Sequence, residues 1–190
     1  MTSDIALKEW AVVVEALAAG EQLLLVRKGG IRDPKGAFQL EHREFLLYPT
    51  WEHQSEETQS RIRPEFLKRY QAILEHPPHP EAVPLRVYGG IGYIGQVQNS
   101  DQLEGLEKYH IWTSEFFVQR MKYRPQAPTL VVLVRAYRLK QPIMHPVRPE
   151  YAGCKSWVPL QEAVPIEGAV PVVDNPRFRQ ALEEISNRLE

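Results

Sequence analysis

Leu130, Val131, Val132, Leu133 and Val134 form an unbroken apolar run in a chain of 190 residues. β-Branched side chains lose rotamer freedom in a helix but pack well on a pleated surface, so the run predicts a strand from Thr129 to Leu139. A strand with no polar alternation is covered on both faces, which places it centrally in its sheet. Helices are then needed to cover that sheet. The expected fold class is α+β, a mixed, mainly antiparallel sheet flanked by helices.

The remaining elements are shorter, as sixteen prolines require. Trp10 to Leu17, with its valine run, and Leu23 to Val26 read as two strands joined by a Gly-containing turn, although Ala6, Leu7, Ala16 and Leu17 would also suit a helix over Ile5 to Leu17. Short strands are expected at Ala37 to Leu40 and Glu44 to Tyr48. Ile62, Phe66, Tyr70 and Ile73 recur at helical spacing within Ser55 to Glu75. The run His76 to Pro80 marks a connection, and Leu85 to Val97 an irregular Gly-rich hairpin. Asp101 can cap a short helix to Lys108, and Thr113 or Ser114 another over Glu115 to Lys122. After a proline-studded loop, Gln141 to Tyr151, come a strand at Lys155 to Val158 and a closing helix capped by Asp174 or Asn175. Phe178, Leu182, Ile185 and Leu189 make its apolar stripe. Length and composition fit one globular domain over residues 1–190, with an insertion expected around 76–125.

Hydrophobic residues at 43% and charged residues at 25% exclude a disordered chain. Twenty-three basic against 24 acidic side chains exclude a strongly basic nucleic-acid module by charge alone, while leaving room for a local patch. One cysteine, Cys154, forms no intramolecular disulfide and no cysteine-based zinc site, and reads as a buried, inert thiol. Lys8, Glu9 and Glu15 interrupt the first twenty residues, and no stretch approaches the roughly 18 apolar residues of a membrane span. A soluble, cytoplasmic protein without a membrane partner is expected.

Three groups of residues can carry chemistry. Glu41 and His42 precede the apolar strand Phe45 to Tyr48, and Glu52 and His53 follow it. If the chain bends back at Pro49, imidazole and carboxylate could share a divalent metal or a proton, so a metal cofactor and catalytic roles are open for these four; hydrogen bonding to backbone is the structural alternative. Arg27, Lys28, Gly29, Gly30 and Arg32 put three cations beside two glycines at a strand end, a pattern suited to phosphate or to a solvated hairpin corner. Lys108, His110, Trp112, Arg120, Lys122, Tyr123 and Arg124 interleave bases with aromatics, as a surface does that neutralises phosphates and stacks bases; on a helix, Phe116, Phe117 and Met121 would face the core instead. Gly89, Gly90 and Gly92 lack the third glycine spacing and helix of a dinucleotide fingerprint. Asp33-Pro34-Lys35 is the one acid-x-lysine of nuclease type, and it sits in turn chemistry.

The runs Ala6 to Leu17, Leu23 to Arg32 and Glu41 to Gln54 resemble the bacterial family catalogued as domain of unknown function 1802, over most of the chain. That likeness brings a family without an activity. A second, architectural likeness is to Nudix domains: strand, turn, strand to Gly29, then Phe45 to Pro49 and a helix, with Ser156 to Leu160 and a final helix as the close. The Nudix box is missing after Pro49, so the likeness implies the fold and not the pyrophosphohydrolase activity. The expected function is binding, with or without hydrolysis, of a nucleotide or nucleic-acid phosphate. The alternatives are a non-catalytic interaction or scaffold domain and a metal-dependent nuclease.

Overall fold

The computed structural model describes residues 1–28, 39–52, 56–75, 81–153 and 155–190. In chain order the strands and helices are β1 (Thr2–Trp10), α1 (Ala11–Ala19), β2 (Leu24–Arg27), β3 (Glu44–Thr50), α2 (Glu56–Ser60), α3 (Pro64–Glu75), β4 (Ala82–Val97), α4 (Ser114–Lys122), β5 (Thr129–Pro146), β6 (Trp157–Pro165), β7 (Val170–Pro171) and α5 (Asn175–Leu189). The strands form one sheet in the order β2-β5-β4-β3-β1-β6, with β7 also on β5. β1 runs parallel to β3, and the other pairs are antiparallel. The class is α+β, mixed and mainly antiparallel. Among the described residues no helix is long and apolar enough to cross a membrane.

Period-two alternation sorts side chains onto the two faces of this sheet. Leu7 and Leu47 enter a large core with α1 and residues of α3, α4 and α5, whereas Ala6, Leu46 and Tyr48 enter a smaller one with Leu85, Tyr151 and Val158. The run at 131–134 is buried throughout, as its continuous apolarity demands. β4 lies within the 76–125 stretch and is an interior strand, pairing with β5 from Val97↔Thr129 to Ala82↔Pro146.

Several expectations are corrected. Trp10 to Leu17 is not the first arm of a hairpin: β1 ends at Trp10 and Ala11–Ala19 is helix. Its valines are accommodated because α1 is buried almost all round, so packing outweighs their modest helix penalty. Gly20, at φ 72°, ends it and donates to the carbonyls of Ala16 and Leu17. Gln39 and Leu40 are outside any strand. Leu85 to Val97 belongs to a single long strand, and β5 continues through part of the expected loop to Pro146. The pairing register jumps between Leu85↔Ile143 and Val87↔Arg138, which leaves Pro142 in a bulge where no ladder hydrogen bond is needed. The helix expected from Asp101 is two 3₁₀ turns, Ser100–Leu103 and Glu107–Tyr109, the first capped by Asn99. β6 begins at Trp157 rather than Lys155. Asp174 caps α5, accepting from the Arg177 amide at 2.8 Å. His76 to Pro80, Asp33 to Lys35 and Cys154 lie outside the described residues.

Candidate functional site

The end of β1 carries Lys8, Glu9 and Trp10, and their side chains line a cavity of about 730 Å³. Its walls also include Arg27 at the end of β2, Thr50 and Glu52 after β3, Arg61, Trp112, the α4 residues Phe116, Gln119, Arg120 and Lys122, then Tyr123 and the loop residues Gly153, Lys155 and Ser156. The wall at Arg61 is fixed by backbone pairing. Arg63 donates to the carbonyl of Ile111 and Thr113 to that of Arg61, both at 2.9 Å, which sets 61–63 against 111–113. The aromatic side of the cavity is a packed cluster. Trp112 stacks on Phe116 with centroids 4.3 Å apart, and Trp10 meets Trp112 edge-on at 5.5 Å.

Six of the described lining residues are cations and two are carboxylates. Both carboxylates are already paired. Lys8 is buried, and its ammonium donates to Glu52 at 3.1 Å and to the carbonyls of Tyr151 and Gly153 at 3.0 and 2.9 Å, so its three donors are all used. Arg27 donates to Glu9 at 2.9 Å, to the Lys8 carbonyl at 3.2 Å and to the Ser156 hydroxyl at 2.8 Å. Arg120 differs in that neither carboxylate is hydrogen-bonded to it: Glu9 accepts from Arg27 and the Trp10 amide, and Glu52 from Lys8 and the Gly153 amide. Burial, and then the neighbouring charges of Arg27 and Arg61, hold its guanidinium below its usual pKa, with Glu9 and Tyr123 acting the other way. Lys122 and Tyr123 are exposed at the rim.

The residues expected to bind phosphate are thereby divided. Arg27 is on the cavity wall but is held by Glu9 and Ser156. Lys28 is 1% exposed and donates to the Met121 carbonyl at 2.8 Å, satisfying a group that the end of α4 leaves open. Desolvation, then Arg120, lowers its pKa. Gly29, Gly30 and Arg32 lie outside the described residues.

Of the basic and aromatic segment, Trp112, Arg120, Lys122 and Tyr123 line the cavity. Lys108 is elsewhere, paired with Glu184 of α5 at 2.7 Å. His110 is 1% exposed, packs edge-on to Phe117 and accepts from the Trp112 amide, so it is a core residue and not part of an open face. Burial, then Arg63, pushes its pKa down to about 4. Arg124, at φ 48°, follows the rim and is not among the lining residues.

Glu52 is on the cavity wall, bonded to Lys8, whereas Glu41 and His42 precede β3 and are not among the residues that line the cavity. Glu41 is exposed, and His42 packs edge-on to Trp157 at 5.1 Å. His53 lies outside the described residues. Among the described residues no group of three or more His, Cys, Asp or Glu side chains is placed to hold a metal ion. Sequence reasoning missed Lys8, Glu9, Trp10, Arg61 and Ser156. Nothing local marked them: Lys8 and Glu9 read only as charges that interrupt the first twenty residues, and their meeting with Arg27, Arg61 and Ser156 is set by tertiary packing.

The family model for the domain of unknown function DUF1802 matches residues 6–184. The chain belongs to this family. No curated protein matches it. Among solved structures it is similar to the ASCH protein of Zymomonas mobilis, at 13% identity and a TM-score of 0.40 over 94% of this chain and 92% of that one. A serine-to-alanine variant of the same protein gives 16% identity and a TM-score of 0.42 over 83% and 88%. No functional reading rests on likenesses of that strength. The Nudix likeness is not supported by these comparisons, and its opening strand–turn–strand is replaced by β1, α1 and β2.

Proposed function

We propose that this DUF1802 protein binds a phosphate-bearing ligand, a nucleotide or nucleic acid, in the cavity between β1, β2 and α4. One observation carries the reading. Residues from two separate cationic segments, Arg27 and the Trp112 to Tyr123 stretch, line the same cavity beside a packed aromatic cluster. The volume falls within the range of small-ligand sites, roughly 300–1,000 Å³. Arg120 and Lys122 supply the charge for phosphate, and Trp10 and Tyr123 the aromatic surface against which a base can stack. Of the three candidates for hydrolysis among the described residues, Glu41, His42 and Glu52, only Glu52 lines the cavity, and its carboxylate is occupied by Lys8 and the Gly153 amide. Binding is therefore the better-supported activity.

Titration of tryptophan fluorescence with mononucleotides and with short single-stranded oligonucleotides tests this. Arg120→Ala should weaken binding about tenfold to a hundredfold, the loss of one charged hydrogen-bonding group, while Arg124→Ala should leave it unchanged. Equal affinities for wild type and Arg120→Ala would rule out the cavity as the site.

A further inference from the structure

Resting on that reading, we infer that the cavity takes a terminal phosphate, a phosphomonoester or the end of a polyphosphate, and does not thread an internal phosphodiester backbone. The first ground is shape. Surfaces that follow a single strand are open grooves several nucleotides long, lined by successive stacking platforms. Here the lining converges from β1, α1, β2, the end of β3, Arg61, α4 and the residues Gly153, Lys155 and Ser156 rather than running along one track, and the volume of about 730 Å³ suits one small ligand.

The second ground is charge. An internal diester brings one negative charge per phosphate, whereas a phosphomonoester carries about 1.5 to 2 near neutral pH with three acceptor oxygens. The inner end of the cavity is built for the larger anion. Arg120 lies in the electrostatic field of Arg27, Arg61 and Lys28, offset in part by Glu9, and neither cavity carboxylate makes a hydrogen bond to it, Glu9 being bonded to Arg27 and the Trp10 amide, Glu52 to Lys8. Like charges gathered in a partly dewatered space repel, and a dianion relieves more of that repulsion than a monoanion. The planar fork of arginine matches two oxygens of one phosphate. Lys122, exposed at the rim, can reach a third oxygen, and Trp10 and Tyr123 flank the remainder of the ligand.

Mononucleotides and phosphorylated nucleic-acid ends share this chemistry, and the test separates them. The protein is titrated with a nucleoside, its 5′-monophosphate and the 5′-methyl phosphodiester. In parallel, single-stranded dodecamers carrying either a 5′-phosphate or a 5′-hydroxyl are compared. A monoester at least about tenfold tighter than its methyl ester, with that ratio collapsing in Arg120→Gln, supports the inference. Discrimination among the dodecamers as well identifies a nucleic-acid end as the source; discrimination among the small ligands alone identifies a free nucleotide. Equal binding of monoester and diester by the wild type overturns the inference and leaves cavity binding standing. No binding by any of the five overturns both. Lys122→Ala, at an exposed position, supplies a second variant in which the ratio should fall even if Arg120→Gln does not fold.

Discussion

The ammonium of Lys28 donates to the carbonyl of Met121 at 2.8 Å, joining the end of β2 to the last turn of α4 across 93 residues of chain. This bond sets the wall that carries Arg27 against the wall that carries Arg120. The Lys28 side chain is also almost wholly buried, so its stem fills space as well as delivering a charge. Lys28→Ala should lower unfolding free energy by about 2–3 kcal/mol through lost packing and an orphaned carbonyl. Lys28→Met, which keeps the stem, should cost less. Urea denaturation of the two variants checks the ordering.

Glu9 occupies Arg27 within the cavity. The pair is only slightly exposed, 11% for Arg27 and 12% for Glu9, so the carboxylate cancels charge that a phosphate would otherwise meet. Glu9→Gln should raise affinity for a nucleotide about threefold to tenfold by leaving the arginine's charge uncompensated. It should also lower stability by about 1–3 kcal/mol through loss of a charged hydrogen bond. Isothermal titration and thermal unfolding of the same sample would show the opposed changes, and an unchanged or weaker affinity would refute the role given to Glu9.

Arg120 should show the converse. Burial and its cationic neighbours oppose its charge. Arg120→Met keeps an apolar stem and removes the repulsion, so it should raise the unfolding temperature by a few degrees, corresponding to about 1 kcal/mol for a chain of this size, while binding is lost. A lower unfolding temperature would indicate that Arg120 is held by a structural partner.

What the sequence disclosed and what it withheld follow from the range of the forces involved. The strand through 131–134 was legible because continuous apolarity has few other outcomes, and α5 because Asp174, Pro176 and a helical stripe agree. Ala11–Ala19 was misread because its valines favour strand locally, and only burial on every side, a tertiary fact, reverses that preference. The cavity was half legible. Arg120, Lys122 and Tyr123 stood out as a basic and aromatic cluster, and Arg27 as a cation at a strand end. Their meeting was not legible, because it depends on Lys28 reaching Met121 and on 61–63 pairing with 111–113. His110 looked like a member of the same surface, yet the residues beside it in sequence carry it into the core.

That burial makes His110 a source of acid sensitivity. Its folded pKa is about 4, against about 6.5 for an exposed imidazole. Between these values the unfolded chain binds a proton that the folded protein refuses, so stability rises with pH across the window. It is complete above about pH 6.5 and diminishes as pH falls, by about 3 kcal/mol once pH 4 is reached. His145, also buried and shifted downward by desolvation, adds a contribution of the same sign. His110→Asn, whose oxygen can still accept from the Trp112 amide two residues on, should flatten the slope of stability against pH between 4 and 6.5 without abolishing it. Urea midpoints at five pH values would measure this; identical slopes would assign the sensitivity elsewhere.

The glycines of β4 have a packing role that can be tested position by position. A methyl group at Gly92 would stand 2.6 Å from the Phe178 ring of α5, whereas one at Gly90 would meet nothing within 4 Å. α5 therefore approaches the sheet closely over Gly92, and Phe178 is held between that strand and the Arg135 guanidinium, 4.7 Å from its centroid. Gly92→Ala should force the ring or the helix outward and cost about 1–3 kcal/mol. Gly90→Ala should be neutral or stabilising by up to about 1 kcal/mol, since alanine restricts the unfolded chain more than glycine does. Equal effects at the two positions in urea denaturation would mean that α5 does not rest on Gly92. A selective loss at Gly92 would show that this glycine, which the sequence excluded from a dinucleotide fingerprint, is the seat of the closing helix.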